Sequence, residues 1–195
     1  TVGSYTHPKG HWHLIRAFQK VVEKVDEQAH LIILGQGSLK EYLQEVIKRN
    51  HLEKNVTLMP YTDNPFAVMS KCDVYVMPSL YEGYSNALCE AYICGLPCIA
   101  TDFKTSARDI LAPDTDYRME QTEEIEYAKY GILTPVCSGI RYQGDEPLEK
   151  AEELLADAMI KMHDSPDIKD KYTVRDNEYK KFDILEKVKE YVELI

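Results

Sequence analysis

The 195-residue chain is 44% hydrophobic with a formal net charge of −10, which suits one compact core and excludes a nucleic-acid backbone as main partner, since phosphate contacts need clustered Lys and Arg. No run approaches the roughly 18 apolar residues that span a bilayer, and no secretion signal opens the chain, so the reading is a soluble, cytoplasmic protein. Five cysteines (Cys72, Cys89, Cys94, Cys98, Cys137), odd in number and mostly in apolar runs, fit reduced core thiols better than a disulfide framework or a metal knuckle. The opening "TVGSY" reads as the end of a first strand, and a longer parent protein is expected.

In chain order, apolar runs bounded by turn residues alternate with helical-period segments. The strand candidates are "HLIILG" (30–35), "NVTLMP" (55–60), "DVYVMP" (73–78), "LPCIAT" (96–101) and "YGILTPV" (130–136). Helices are expected near 11–26, 38–50, 65–71, 86–94 and 104–111. In the first, Leu14, Ala17, Phe18, Val21, Val22 and Val25 recur at helical spacing as a core stripe. This alternation predicts an α/β fold, a doubly wound Rossmann-like parallel sheet in a single domain over 1–195. The polar stretch 112–130 is too long for an ordinary connection of about six residues and reads as an inserted acidic loop. From about 147 onward "PLEKAEELLADAMIKMHD" and "FDILEKVKEYVELI" are amphipathic helices.

Three stretches could carry chemistry. In "YEGYSNALCEAYICGLP" (81–97), Ser85 is a natural N-cap and Gly95 a natural C-cap for a helix over 86–94. Leu88, Ala91, Tyr92 and Gly95 share its core face, while Asn86 and Glu90 point away. Glu82 lies in the loop at the carboxyl end of a parallel strand, the edge where open α/β sheets bind ligands. Gly83 permits close backbone approach, and the N–H groups of residues 84–87 (Tyr84, Ser85, Asn86, Ala87) could hold an anion. Spacing alone leaves open a ligand clamp or two solvated glutamates.

In "VGSYTHPKG" (2–10), Lys9 precedes a helix and could sit beside a phosphate, although a lone loop lysine is more often simply solvated. His7, His11, Trp12 and His13 gather around it. His11 and His13 are two apart and face different ways on a helix, which favours surface or packing roles over a metal or a general base. "LGQGSLKEYL" (34–43) places Gly35 and Gly37 in a strand-to-helix turn but lacks the third glycine of a dinucleotide fingerprint. No Ser-His-Asp arrangement or nucleophile elbow appears.

Taken in order, "VGSYTHPKGHWHLIRAF", "LIILGQGSLKEYL" and "VTLMPYTDNPFAVMSKCDVYVMPSLYEGYSNALCEAYICGLPCIATD" resemble the carboxyl-terminal, donor-binding domain of family 4 retaining glycosyltransferases, one half of a GT-B architecture. The likeness covers residues 1–111 and resumes at "YGILTPV". Its most diagnostic feature, two glutamates with seven residues between them, falls on Glu82 and Glu90.

The resemblance implies a retaining, metal-independent hexosyltransferase with no cofactor, whose substrate is a UDP- or GDP-linked sugar. The acceptor would be a polysaccharide or lipid-linked glycan bound by an amino-terminal domain absent from this chain, so the fragment alone would be inactive. Membrane contact would be peripheral at most, at the inner face. Lys9 and Glu82 would be the catalytic pair, Lys9 on the diphosphate and Glu82 with the N–H groups after it on the donor sugar and distal phosphate. Glu90 would hold the ribose, Gly3, Ser4, Gly35 and Gly37 would flank the nucleotide, and Pro60 and Tyr61 would meet the base.

Two departures stand out. Ser4 occupies the place of a diphosphate-binding Arg, and "KTSARDIL" replaces the usual Gly-Gly-x-x-Glu. Two other readings are a sugar-nucleotide 2-epimerase on the same architecture and a non-catalytic nucleotide-binding module.

Overall fold

The computed structural model describes residues 1–104, 106–116, 121–142 and 146–173. The expected helix in "FDILEKVKEYVELI" lies outside the described residues. The strands are β1 (Leu31–Leu34), β2 (Val56–Met59), β3 (Tyr75–Met77), β4 (Cys98–Thr101), β5 (Glu126–Tyr127) and β6 (Ile132–Thr134). The helices are α1 (His11–Lys24), α2 (Lys40–Arg49), α3 (Pro65–Met69), α4 (Asn86–Ile93), α5 (Ala107–Leu111), α6 (Lys150–Asp164) and α7 (Pro166–Tyr172).

β1 and β2 pair in parallel, and β3, β4, β6 and β5 form a second group in that order, parallel except for β5. Residues 1–3 run beside β1, with Val2 bridging Leu34 in parallel, and the Tyr75 hydroxyl of β3 donates to the Val2 carbonyl at 3.4 Å. The opening residues therefore lie between the two groups of strands.

Every residue of β3, β4 and β6 is buried, as expected of parallel strands covered on both faces. One core joins α1, α2 and α6 to β1 through Trp12, Phe18, Ile33, Leu43 and Leu155. The other joins α4 and α5 to β3 and β4 through Met77, Leu88, Tyr92, Phe103 and Ile110. Helices thus cover both faces, which is the doubly wound arrangement. α4 begins where the sequence places it: the Ser85 Oγ accepts the Leu88 N–H, and Gly95, at φ +80°, follows its last turn.

Three features differ from expectation. The stretch 112–130 is not wholly a loop, because β5 returns along β6 within it. In α1 the burial is wider than an apolar stripe. Residues 11–18 are all buried, including His11, His13 and Arg16, whereas Val22 and Val25 are only half-buried. Cys89, Cys98 and Cys137 are buried thiols, while Cys72 and Cys94 are half-buried, and none of the five forms a disulfide.

Candidate functional site

The carboxyl ends of the parallel strands bring the predicted residues into two adjoining groups. At the ends of β1 and β2, a pocket of about 300 Å³ is lined by Gly3, Ser4, Gly35, Gln36, Tyr61 and Thr62, among others. Gly35 is fixed here by close approach: a Cβ would come within 2.0 Å of the Gly3 carbonyl oxygen. Gly37 packs behind the pocket against the Tyr5 backbone, and Pro60 is exposed outside its lining. Tyr61, 62% exposed, offers a free aromatic face at the rim.

The second group lies after β3. The Lys9 ammonium meets Glu82 Oε1 at 2.5 Å, and the Ser79 hydroxyl donates to the same oxygen at 2.7 Å. The two groups touch at Gly3, which lines the pocket and packs on the Lys9 stem. A Cβ built on Gly3 would lie 3.3 Å from Lys9 Cδ. His11 is buried beside them with its Nδ1 unpartnered. Burial, reinforced by nearby positive charge including Lys9, pushes its imidazolium down to about 3, so a neutral ring backs the lysine at ordinary pH.

Beyond Glu82 the loop is pinned to α5. The Ser106 hydroxyl donates to the Gly83 carbonyl and accepts the Ser85 N–H, both at 3.1 Å. The expected row of four open N–H groups is therefore shorter, because that of Ser85 is occupied. A Cβ on Gly83 would meet nothing within 4 Å, so no contact inside the protein requires glycine there. Tyr84 and Asn86 are exposed and Ala87 half-buried. Among the described residues the Ser4 Oγ meets that of Thr6, at 3.0 Å.

Glu90 stands apart from this pair. It is half-buried on α4, its carboxylate accepts no hydrogen bond from the described residues, and its carboxyl is raised above the usual range by desolvation. A poorly solvated acceptor without a donor is chemically ready for a ligand hydroxyl.

Sequence reasoning missed two clusters. Arg108, 7% exposed, joins Asp102 and forks onto both oxygens of Glu126 at 2.9 and 3.2 Å. It clips the 112–130 stretch to the end of β4. On the other face, Glu152 accepts from His13 Nδ1 at 2.7 Å and Arg16 Nε at 2.9 Å, all three fully buried. The sequence signals are weak: an Arg and a His on an apolar helix, and a Glu far away in the chain.

His13, Cys137 and Glu149 have ligand atoms within 4.8 Å of one another, a spacing that could hold a metal ion. The hydrogen bonds oppose it. His13 Nε2 accepts the Gly139 N–H at 3.2 Å, so the ring proton sits on Nδ1, the nitrogen 4.0 Å from Glu149 Oε1. Burial, with Glu149 and Glu152 adding to it, pushes the Cys137 thiol far up, away from the thiolate that a metal needs.

A family model described as glycosyl transferases group 1 matches residues 1–130. The chain belongs to this family. This group 1 chain is 41% identical over its whole length to an uncharacterized glycosyltransferase of Methanocaldococcus jannaschii, spanning 48% of that protein. It is 38% identical over 58% of its length to a Campylobacter jejuni transferase named N-acetylgalactosamine-N,N'-diacetylbacillosaminyl-diphospho-undecaprenol 4-alpha-N-acetylgalactosaminyltransferase, matching 30% of it. The chain thus spans half or less of the curated relatives it matches.

A solved Staphylococcus aureus TarM variant, in complex with fondaparinux, alpha-GlcNAc-glycerol and UDP, superposes with a TM-score of 0.75 over 99% of this chain and 34% of its own. Its 21% identity speaks for the fold alone, which is that of the GT-B glycosyltransferases. No helix among the described residues is long and apolar enough to cross a membrane.

Proposed function

We propose that this chain is the single donor-binding domain of a retaining glycosyltransferase, holding a nucleoside-diphosphate sugar at the carboxyl edge of its strands. The carrying observation is the contact at Gly3, which joins the pocket by Tyr61 to the Lys9–Glu82 pair. A base against Tyr61 and the Gly35 turn leaves a diphosphate beside Lys9 and the start of α4, with Glu90 available to a ribose hydroxyl. The open space over Gly83 suits close approach of the sugar and distal phosphate.

The chemistry follows from charge. Breaking the anomeric carbon–oxygen bond leaves positive charge on the sugar and negative charge on the diphosphate, so groups fixed at the phosphates stabilise what develops. Lys9 supplies a full charge, and the remaining N–H groups at the start of α4 add roughly 0.3–2 kcal/mol. No divalent ion is then required. Glu82 pairs with Lys9 and would turn to the sugar hydroxyls when phosphate takes the ammonium. Ser4 leaves the diphosphate with one cation fewer than the family pattern.

The second substrate, a polysaccharide or lipid-linked glycan, would be bound by the other half of the protein. The Campylobacter relative, named for a diphospho-undecaprenol substrate, supports that class. The whole enzyme would work in the cytoplasm with at most peripheral contact at the inner membrane face.

The test is product analysis with the full-length protein given labelled UDP- and GDP-sugars, with and without glycan acceptors. Transfer with retained anomeric configuration supports the proposal. An epimerised nucleotide sugar formed without acceptor would replace it with the isomerase reading, and no reaction together with no nucleotide binding would overturn it.

A further inference from the structure

Lys9 sits at the end of a single 3-10 turn, His7–Lys9, in which no residue is buried. So short a turn does not hold a side chain in place by itself. It is gripped from two sides. The Leu80 N–H, from the loop that carries Glu82, donates to the Pro8 carbonyl at 2.8 Å. From the segment after β6, the Gly139 carbonyl accepts from His7 Nε2 at 3.0 Å.

Residues 137–142, the strap between β6 and α6, are themselves anchored to α1. The Gly139 N–H donates to His13 Nε2, and Trp12 Nε1 donates to the Ile140 carbonyl at 2.8 Å. Glu152, paired with Arg16, accepts from His13 Nδ1 and so fixes the tautomer that receives Gly139. Gly139 has a φ of +76°, and a Cβ there would come within 3.0 Å of Leu80 Cδ1 and 3.3 Å of His7 Cε1. At this point the strap, the Lys9 turn and the Glu82 loop meet, and only glycine fits.

Resting on the nucleotide reading above, we infer that His7 is a positioning residue for Lys9: through Gly139 it ties the Lys9 turn to the buried Arg16–Glu152–His13 cluster, so that the ammonium is preorganised for a diphosphate. The phosphate-dependent part of donor affinity then depends on the His7 proton donor, while the base and ribose part does not.

The test uses the full-length protein and calorimetric titration with UDP, GDP and ADP, each beside its nucleoside, for the wild type, His7→Phe, His7→Gln, Lys9→Met and the His7→Phe/Lys9→Met pair. For the diphosphate that binds, His7→Phe, which keeps a ring but loses the donor, is expected to cut the preference over the nucleoside about three- to tenfold, the range of one lost hydrogen bond. Nucleoside affinity should stay unchanged. His7→Gln, which keeps an N–H donor, should restore the preference, and His7→Phe should cost nothing further once Lys9 is Met.

A preference within twofold of wild type in His7→Phe would overturn the inference. So would an equal loss in the Lys9→Met background, or a parallel loss of nucleoside affinity, since each describes a general structural role. A wild type that binds none of the three diphosphates would overturn the nucleotide reading itself, and this inference with it.

Discussion

Lys9 and Glu82 are 73 residues apart in sequence, yet their charges meet at 2.5 Å, and each looked from the sequence like an ordinary loop charge. That both belong to one site was implied only by the family resemblance, and their direct ion pair was not expected. Helix phasing placed Glu90 on the side of α4 opposite Leu88, Ala91 and Tyr92 but left its role open. Because desolvation raises its carboxyl, the folded state holds a proton more tightly than the unfolded chain, and its ionisation lowers stability as pH rises above the ordinary glutamate range. Glu90→Gln should therefore raise the neutral-pH Tm slightly while weakening nucleotide binding about tenfold or less, because Gln keeps a neutral acceptor and only the extra strength of a charged hydrogen bond is lost. Thermal melts and calorimetry on the same preparation check both signs.

His11 gives the opposite pH signature. Its folded value, about 3, lies below the unfolded value near 6.5, so the unfolded chain binds the extra proton between the two. Stability carried by the neutral ring is fully present above about pH 6.5 and is lost as pH falls toward 3. His11→Phe should flatten that acid limb in urea melts at stepped pH. An unchanged limb would place the acid sensitivity elsewhere.

At the scale of elements, β1, β2, β3, β4 and β6 and helices α1 to α6 follow the sequence pattern, because strands covered on both faces read as unbroken apolar runs and helices as amphipathic stripes, whereas the short α7 was not expected. β5 was illegible for a physical reason. Two residues, Glu126 and Tyr127, have no periodicity, and their strand exists because Arg108 grips Glu126 and because β6 offers an edge. The same holds for α1, whose buried His13 and Arg16 are polar residues made tolerable by partners far away in sequence, Glu152 with the Glu146 and Pro147 carbonyls and the Gly139 N–H.

Arg108 supplies the element-scale test. Its loss would leave Asp102, whose side chain is 4% exposed, without its cation. Arg108→Met should cost about 3 kcal/mol or more in urea unfolding and should speed amide exchange around 121–127. Exchange unchanged there would show that the stretch is held by β5–β6 pairing alone.

For the molecule as a whole, the doubly wound arrangement collects loops from three strand ends into one edge, where pocket, lysine and glutamate lie side by side. The proposed half of a transferase fits that layout, because a donor held at this edge would leave the other side of its sugar open. The chain alone is expected to bind a nucleoside diphosphate and to transfer nothing, whereas the full-length protein is expected to do both. Turnover by this chain alone, in a coupled assay for diphosphate release to an acceptor, would contradict the division of labour.

The most direct measurement is a crystal structure of the protein with whichever of UDP or GDP binds in solution. The account predicts the base in the pocket by Tyr61 and Gly35, the ribose on Glu90, and diphosphate oxygens within hydrogen-bond reach of Lys9 Nζ and the N–H groups at the start of α4. A nucleotide seated elsewhere, or a diphosphate that leaves Lys9 bound to Glu82 and out of reach, would contradict it.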